Sequence, residues 1–297
     1  MRMALPLVLV LLVAACGDPG SAGPSPRPSE IRTAVERLVP YVAFQAFVPD
    51  VSPPGVLDRV SLYALQRPSQ PDRDVLGEPI LSAEYVLAPG AKTTVYLMEA
   101  PADCCADMFQ SSDRTAVVVR PASGGHPEVR GELVRPRGPA EGPSLWWYEP
   151  AAGERTFVAL RATSFAQLDE QGLLAIAQSM RAVTKQSRGD ALLLYLSTHV
   201  SHSPSGHRVY IAAKARPLPD EARLSDASGS VIAMTSFQAP ESYGCLKAAA
   251  GVAALPVPHE VVEKFGQTVG AGYRVEARVG NTWRQVQLVA SGCFSTE

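Results

Sequence analysis

The chain has 297 residues, a formal charge of −2, 46% hydrophobic and 19% charged residues. These values exclude a disordered polyelectrolyte and a nucleic-acid binder with a strong basic field. Its 26 prolines and 23 glycines interrupt the long windows that helix bundles and helical solenoids need, so a β-rich fold of about two domains is expected.

Met1-Arg2 gives a positive start, Ala4 to Val13 is an apolar run broken at Pro6, and small residues lead through Ala14-Ala15 into Cys16. The run is shorter than the roughly 20 apolar residues a membrane-crossing helix needs. It resembles a bacterial lipoprotein signal peptide ending in a lipobox. The resemblance implies a signal peptide over 1–15, cleavage before Cys16, and palmitate-type lipidation of that sulfur. The mature chain would then be anchored to the membrane at the extracytoplasmic face of the cell envelope, with inner or outer membrane left open. Residues 16–28 carry no large apolar side chain and read as a disordered tether, about 35–40 Å long when extended.

Folded sequence is expected from Ser29, an N-cap residue ahead of Ile31, Ala34, Val35, Leu38 and Val39 at helical spacing, with Pro40 as the stop. From Tyr41 the period becomes two. Strands are predicted over Tyr41–Val48, Val60–Leu65, Ser82–Leu87, Thr93–Glu99, Thr115–Val119, Glu128–Val134, Leu145–Tyr148 and Thr156–Arg161, an antiparallel succession. A second helix is predicted over 169–181, capped by Asp169 and stapled by Leu168 and Leu173. Leu173, Ile176, Ala177, Met180 and Val183 form its apolar stripe, which needs a sheet to cover.

The phrases VPYVAFQAFVPDVSPPGV, LWWYEPAAGERTFVALRATS and LDEQGLLAIAQSMRAV, the last containing Ile176-Ala177-Gln178-Ser179-Met180, resemble extracytoplasmic domains related to the lipoprotein-carrier and sigma-factor-regulator fold. The resemblance covers residues 29–184. It implies an α+β domain, a curved antiparallel sheet with covering helices and, in some members, a cavity for acyl chains. It carries over no ligand contact, and the chain departs from the pattern at Asp103-Cys104-Cys105.

The polar stretch at 185–190 is the expected linker. Beyond it, 191–297 reads as a β-sandwich-like, Ig-like domain. Strands are predicted over Ala191–His199, Arg208–Ala213, Ser230–Phe237, Tyr243–Ala249, Tyr273–Val279 and Trp283–Val289, the last two a hairpin turning at Gly280-Asn281, with a short helix over Pro258–Phe265. Basic and acidic residues number 14 and 19 in residues 29–184 and nine each in 189–297, so the net charge of neither part advertises an anionic partner.

Once Cys16 is lipidated, four cysteines remain, which in an oxidising compartment allow three pairings. The expected disulfide is Cys245–Cys293, both at strand ends of one domain. That leaves Cys104 and Cys105 to each other, in a structural turn or as a strained vicinal disulfide whose adjacent Cα atoms lie below the usual range of about 4.4–6.8 Å, with cross-domain pairing as the competing outcome. Trp146, Trp147 and Tyr148 are the most aromatic point. On a strand Trp147 faces away from the other two, so one face is core and the other either is packed as core as well, the favoured reading, or lines a groove for a ligand.

His199, His202 and His207 are the one metal-like spacing, but a closed zinc site needs four ligands and no fourth accompanies them. No nucleophile elbow, zinc-protease helix, phosphate loop or dinucleotide glycine run is present, and no cofactor is implied. The expectation is therefore a lipid-anchored binding or envelope-sensing protein for an apolar ligand or an envelope protein. The alternative is a redox or metal-dependent catalytic module using Cys104/Cys105 or the His199/His202/His207 loop. If Cys16 carries the anchor, the mature protein will partition into the detergent phase and Cys16→Ala will remain unprocessed or become soluble; normal processing with unchanged membrane retention refutes the lipobox.

Overall fold

The computed structural model describes residues 28–64, 76–88, 91–105, 113–135, 142–151, 154–163, 168–184, 192–197, 201–203, 206–214, 216–240, 249–261 and 272–291. The fold is mostly β. Helix α1 (Pro28–Leu38) starts on proline, whose missing N–H is harmless in a first turn, and buries Ile31, Val35 and Leu38. A 3-10 turn over Val39–Tyr41, with Pro40 in its first positions, ends the helical run.

The strand expected over Tyr41–Val48 shrinks to β1 (Phe47–Pro49). Tyr41 is still in the turn, and Gln45 is anchored by side-chain bonds instead of a ladder. Its Nε2 donates to the Ala46 and Val183 carbonyls, and its own carbonyl accepts from Thr156 Oγ1 at 2.6 Å.

Seven strands then form an antiparallel sheet: β2 (Val56–Ala64), β3 (Pro79–Val86), β4 (Thr93–Pro101), β5 (Arg114–Arg120), β6 (Val129–Val134), β7 (Ser144–Ala151) and β8 (Glu154–Ala162), in the order β2-β3-β4-β8-β7-β6-β5. Alternation sends Leu81, Ala83 and Tyr85 of β3, Val95 and Leu97 of β4, and Leu145 and Trp147 of β7 into one core. Helix α1 packs beside β2 on this face, and helix α2 (Glu170–Gln178) lies against β5 and β7.

Every part of the α2 signal is present. Asp169 accepts from Gly172 N at 2.8 Å, a cap worth about 1 kcal/mol. Leu168 and Leu173 are both buried, and Leu168 Cδ1 sits so close to Gly172 that a Cβ there would lie 2.4 Å away. The stripe of Leu173, Ile176, Ala177, Met180 and Val183 is buried throughout, and Arg135 at the end of β6 holds Glu170 in the first turn at 2.5 and 2.9 Å. The helix stops earlier than expected. Ser179 Oγ donates to the Ile176 carbonyl and accepts from Val51 N, so Met180 begins β9 (Met180–Ala182), which pairs antiparallel with β1.

The C-terminal part contains β10 (Leu192–Ser197), β11 (Ser201–Ser203), β12 (Gly206–Ala213), β13 (Glu221–Asp226), β14 (Val231–Ser236), β15 (Gly251–Val257), β16 (Tyr273–Val279) and β17 (Thr282–Ser291). The expected β16–β17 hairpin is present, with Val279 opposite Thr282 and Gly280 at a φ of 59° that suits its turn. Strands β13 and β15 were not anticipated. The first alternates Ala222 and Leu224 with charged residues, and the second is rich in alanine and holds Pro256, tolerated where one edge lacks a full partner. The expected strand over 243–249 lies almost wholly outside the described residues.

Pairing runs β14-β13-β16-β17-β10-β12-β15 and returns to the end of β14 through the Gln238–Val252 bridge, whose two N–O distances are 2.9 and 2.8 Å. The ring encloses a second core that includes Leu194, Ile211, Leu224, Leu255 and Leu288.

The sheet does not stop between the two parts. Strand β17 pairs parallel with β10 from Val286 to Ser291 and, on its other edge, parallel with β2 through Val289↔Leu62, Ala290↔Tyr63 and Ser291↔Ala64. Tyr195, Ala212, Val252 and Val289 turn outward from the ring into the same core as Leu62 and Leu81. Tyr195 donates to the Gly77 carbonyl at 3.0 Å, and Lys214 meets Glu78 at 3.0 Å. Leu62→Ala, at a fully buried position on this seam, will cost about 2–5 kcal/mol and move the thermal transition of the entire chain. A calorimetric trace in which the C-terminal ring keeps an unshifted transition of its own would contradict an energetically shared seam.

Candidate functional site

Period-two alternation puts a second set of side chains on the sheet face opposite the helices. Cross-strand register places Tyr148 against Phe157 and Trp146 against Ala159. Three rings meet as a result: Trp146 and Tyr148 edge to face at 6.0 Å, Trp146 and Phe157 at 5.8 Å, Tyr148 and Phe157 at 5.8 Å. Trp147 lies on the other face, wholly buried, with Nε1 donating to Glu149 at 2.8 Å.

The turn after β4 closes on these rings. Cys104 N donates to the Pro101 carbonyl at 3.0 Å, and Cys105 takes a φ of 74°, the one positive value at a non-glycine residue among those described. Cys104 and Cys105 are joined as a vicinal disulfide with Cα atoms 3.7 Å apart. Both are buried in one cluster with Ile80, Ala100, Trp146, Phe157 and Ala159, and Tyr63, Met98, Val134 and Tyr148 are its partly exposed margin. Trp146 Nε1 is buried and meets no acceptor.

One border of the patch is polar. Buried Glu84 accepts from Arg59 at 2.7 to 3.1 Å, from the Tyr63 hydroxyl at 3.1 Å and from Thr93 Oγ1 at 3.0 Å. Burial pushes the Tyr63 hydroxyl above its ordinary value. The arrangement is a buried aromatic and disulfide cluster with a half-buried margin, set beside the Glu84–Arg59 pair.

The core face carries a second polar group, unanticipated from sequence. Glu99 is fully buried; its Oε2 accepts from Phe47 N at 2.9 Å and its Oε1 meets no donor. Burial, reinforced by the charge of Glu149, holds the Glu99 carboxyl well above its ordinary value against the Phe47 bond. Glu149 itself is bound by Arg120 and by Trp147 Nε1. The available signal was a glutamate at a core-facing period: Leu97 precedes Glu99 by two residues, and Trp147 precedes Glu149 by two.

The remaining predicted residues do not join this site. Cys16, His199, Cys245 and Cys293 lie outside the described residues. His202 and His207 are opposite each other in the β11–β12 pair, and the His207 ring stacks on His259 at 4.6 Å. Four strands, β10, β17, β2 and β3, separate β12 from the strand that leads to Cys104. Among the described residues no three His, Cys, Asp or Glu side chains are grouped for a metal ion.

The sequence matches no family model and no curated protein, and no solved structure matches the fold.

Because the folded state keeps the Glu99 proton in a range where the unfolded chain has lost it, this carboxyl stabilises most below about pH 4.3 and its contribution falls as pH rises above that value. Glu99→Gln will therefore gain stability relative to the parent as pH is raised from about 4 to 8, measured as the difference between urea midpoints. A difference that does not change with pH would show that Glu99 is ionised in the fold.

Proposed function

We propose that this protein is a lipid-anchored extracytoplasmic binding protein, and that it takes an apolar ligand or an apolar segment of an envelope protein on the face bearing Trp146, Tyr148 and the Cys104–Cys105 turn. The observation that carries the reading is the cluster itself. Three aromatic rings and a disulfide share one sheet face, with Tyr148 and Met98 at the margin and a buried Trp146 Nε1 that has no acceptor. Trp146, Phe157 and both cysteines are buried, so a ligand would enter at the half-buried margin of Tyr148 and Met98; aromatic side chains with one polar handle are a usual lining of a small-molecule site.

The lipobox resemblance at Cys16 and the polar residues 17–28 support the anchored part of the reading, with the tether holding the folded part off the headgroups. The carrier-like architecture, a curved sheet with covering helices followed by a sandwich-like domain, belongs to the same proposal. It is supported by the antiparallel order β2-β3-β4-β8-β7-β6-β5 and by two helices on one face. That helix-covered face is filled by Trp147, Leu97, Leu145, Val158 and Leu160, each with no exposed surface. The proposed ligand is therefore assigned to the opposite face rather than to an interior sleeve.

Titration of the mature protein with a lysophospholipid, in a Trp283→Phe background, will produce a saturable change in tryptophan emission. Tyr148→Glu, which sets a charge in the patch margin, will weaken that binding roughly tenfold or more while leaving the circular dichroism unchanged. No saturable change, or equal affinity in the two proteins, would reject the patch as the binding surface.

A further inference from the structure

We propose that the fork between β2 and the β16–β17 hairpin is a strand-addition site for an extended, acidic segment of a partner protein. The site is separate from the aromatic patch and independent of it. On one edge β17 is paired with β10 from Val286 to Ser291. On the other edge it follows β16 as far as Gln285↔Glu276 and takes up β2 at Val289↔Leu62. Among the described residues, Val286–Leu288 have no strand partner on that edge. Among the described residues, strand pairing beyond the fork is recorded on one side for Val56, Leu57, Val60 and Ser61 of β2, with β3, and for Arg274 and Val275 of β16, with β13.

A cleft of about 550 Å³ opens at this interruption, with Val60 and Ser61 on one wall, Arg274 and Glu276 on the other, and Gln285 and Gln287 on its floor. Unpaired strand edges hold rows of main-chain donors and acceptors that another extended chain can satisfy. Strand addition draws affinity from those main-chain bonds and selectivity from alternate side chains. The gap in β17 spans three residues, about 10 Å, and is closed at each end by a paired strand. It fits a single extended segment lying along β2 or β16 and not the broad edge of a second folded copy.

Charge selects the kind of segment. Glu276 is already held by Arg223 at 2.8 Å, and Arg223 also lies 4.3 Å over the Trp283 ring. Exposed Arg274, opposite Ser225 in the register, has no ion-pair partner among the described residues. Among the described residues the cleft therefore presents the Arg274 charge without an ion-pair partner, beside Gln285, while the Gln287 Nε2 is turned onto its own strand and donates to the Leu288 carbonyl at 3.2 Å. An extended segment with a carboxylate facing Arg274 and small or β-branched residues on either side complements it.

The test is selection of a random linear peptide library on the full mature chain, followed by hydrogen exchange and charge reversal. Enriched peptides will carry acidic residues among β-branched ones, bind saturably, and slow exchange of the amides in 56–61 and 286–288. Arg274→Glu, an exposed change, will lower their affinity roughly tenfold or more, and selection repeated on that variant will favour basic peptides. The proposal is overturned if no peptide is enriched, if enriched peptides bind Arg274→Glu equally well, or if they protect amides elsewhere. Self-association of the chain that buries the same amides would also overturn it, by assigning the fork to a second copy.

Discussion

One strand has to satisfy two sheets. β17 begins as half of a tight hairpin with β16 and ends wedged in parallel between β10 and β2. Its side chains alternate accordingly, Leu288 into the ring and Val289 into the core shared with Leu62. Had the register slipped by one residue, each would face the wrong interior. The ring therefore cannot shift against the N-terminal sheet without breaking main-chain pairing as well as side-chain packing. The fork is the geometric consequence of the same constraint: a strand that exchanges β16 for β2 on one edge must leave a gap where the exchange occurs.

The second constraint is that β3 is buried along its whole length. A strand covered on both faces usually reads as continuous apolar sequence, yet β3 includes Ser82 and Glu84. Glu84 is tolerated because Arg59, Tyr63 and Thr93 supply donors to its carboxylate. Glu99 on the neighbouring strand has a single main-chain donor and, among the described residues, no cationic partner, so keeping its proton is the less costly state. Two buried glutamates on adjacent strands thus meet different surroundings: Glu84 is held by the side chains of Arg59, Tyr63 and Thr93, and Glu99 by a single backbone N–H.

What the sequence disclosed was local. Helix α2 could be read from Asp169, Leu168 and a five-residue stripe because capping, stapling and periodicity all act within a few residues. The opposed faces of Trp146 and Trp147 followed from the pleat. The Tyr41–Val48 strand failed because Gln45 finds carbonyl partners over a hundred residues away, and nothing nearby signals that. The charged residues of β13 and the alanines and proline of β15 are poor strand formers by propensity and are held there by ring closure. The parallel contacts of β17 with β10 and β2 join segments that are distant in sequence, and no spacing rule reaches them. The candidate site divides in the same way: Trp146 and Tyr148 were legible as a face, whereas the arrival of Cys104–Cys105 on that face depends on where β4 ends in three dimensions.

The distribution of burial bears on what kind of binding this architecture supports. In a half-open sheet one face must be filled, and here Trp147 and the α2 stripe fill it with the chain's own atoms at the density of a core. Carving a ligand cavity there would remove contacts worth about 2–5 kcal/mol per large side chain. The opposite face is built differently. Its Cys104–Cys105 cover comes from a turn at the end of a strand, and its rim at Tyr63, Met98, Val134 and Tyr148 is half-buried around the buried Trp146 and Phe157. Displacing a turn disturbs fewer buried contacts than emptying a core, and segments of low local stability are where binding changes are least expensive. The proposed ligand face thus takes its cover from a turn, and at Cys105 that turn holds the one positive φ of a non-glycine residue among the described residues.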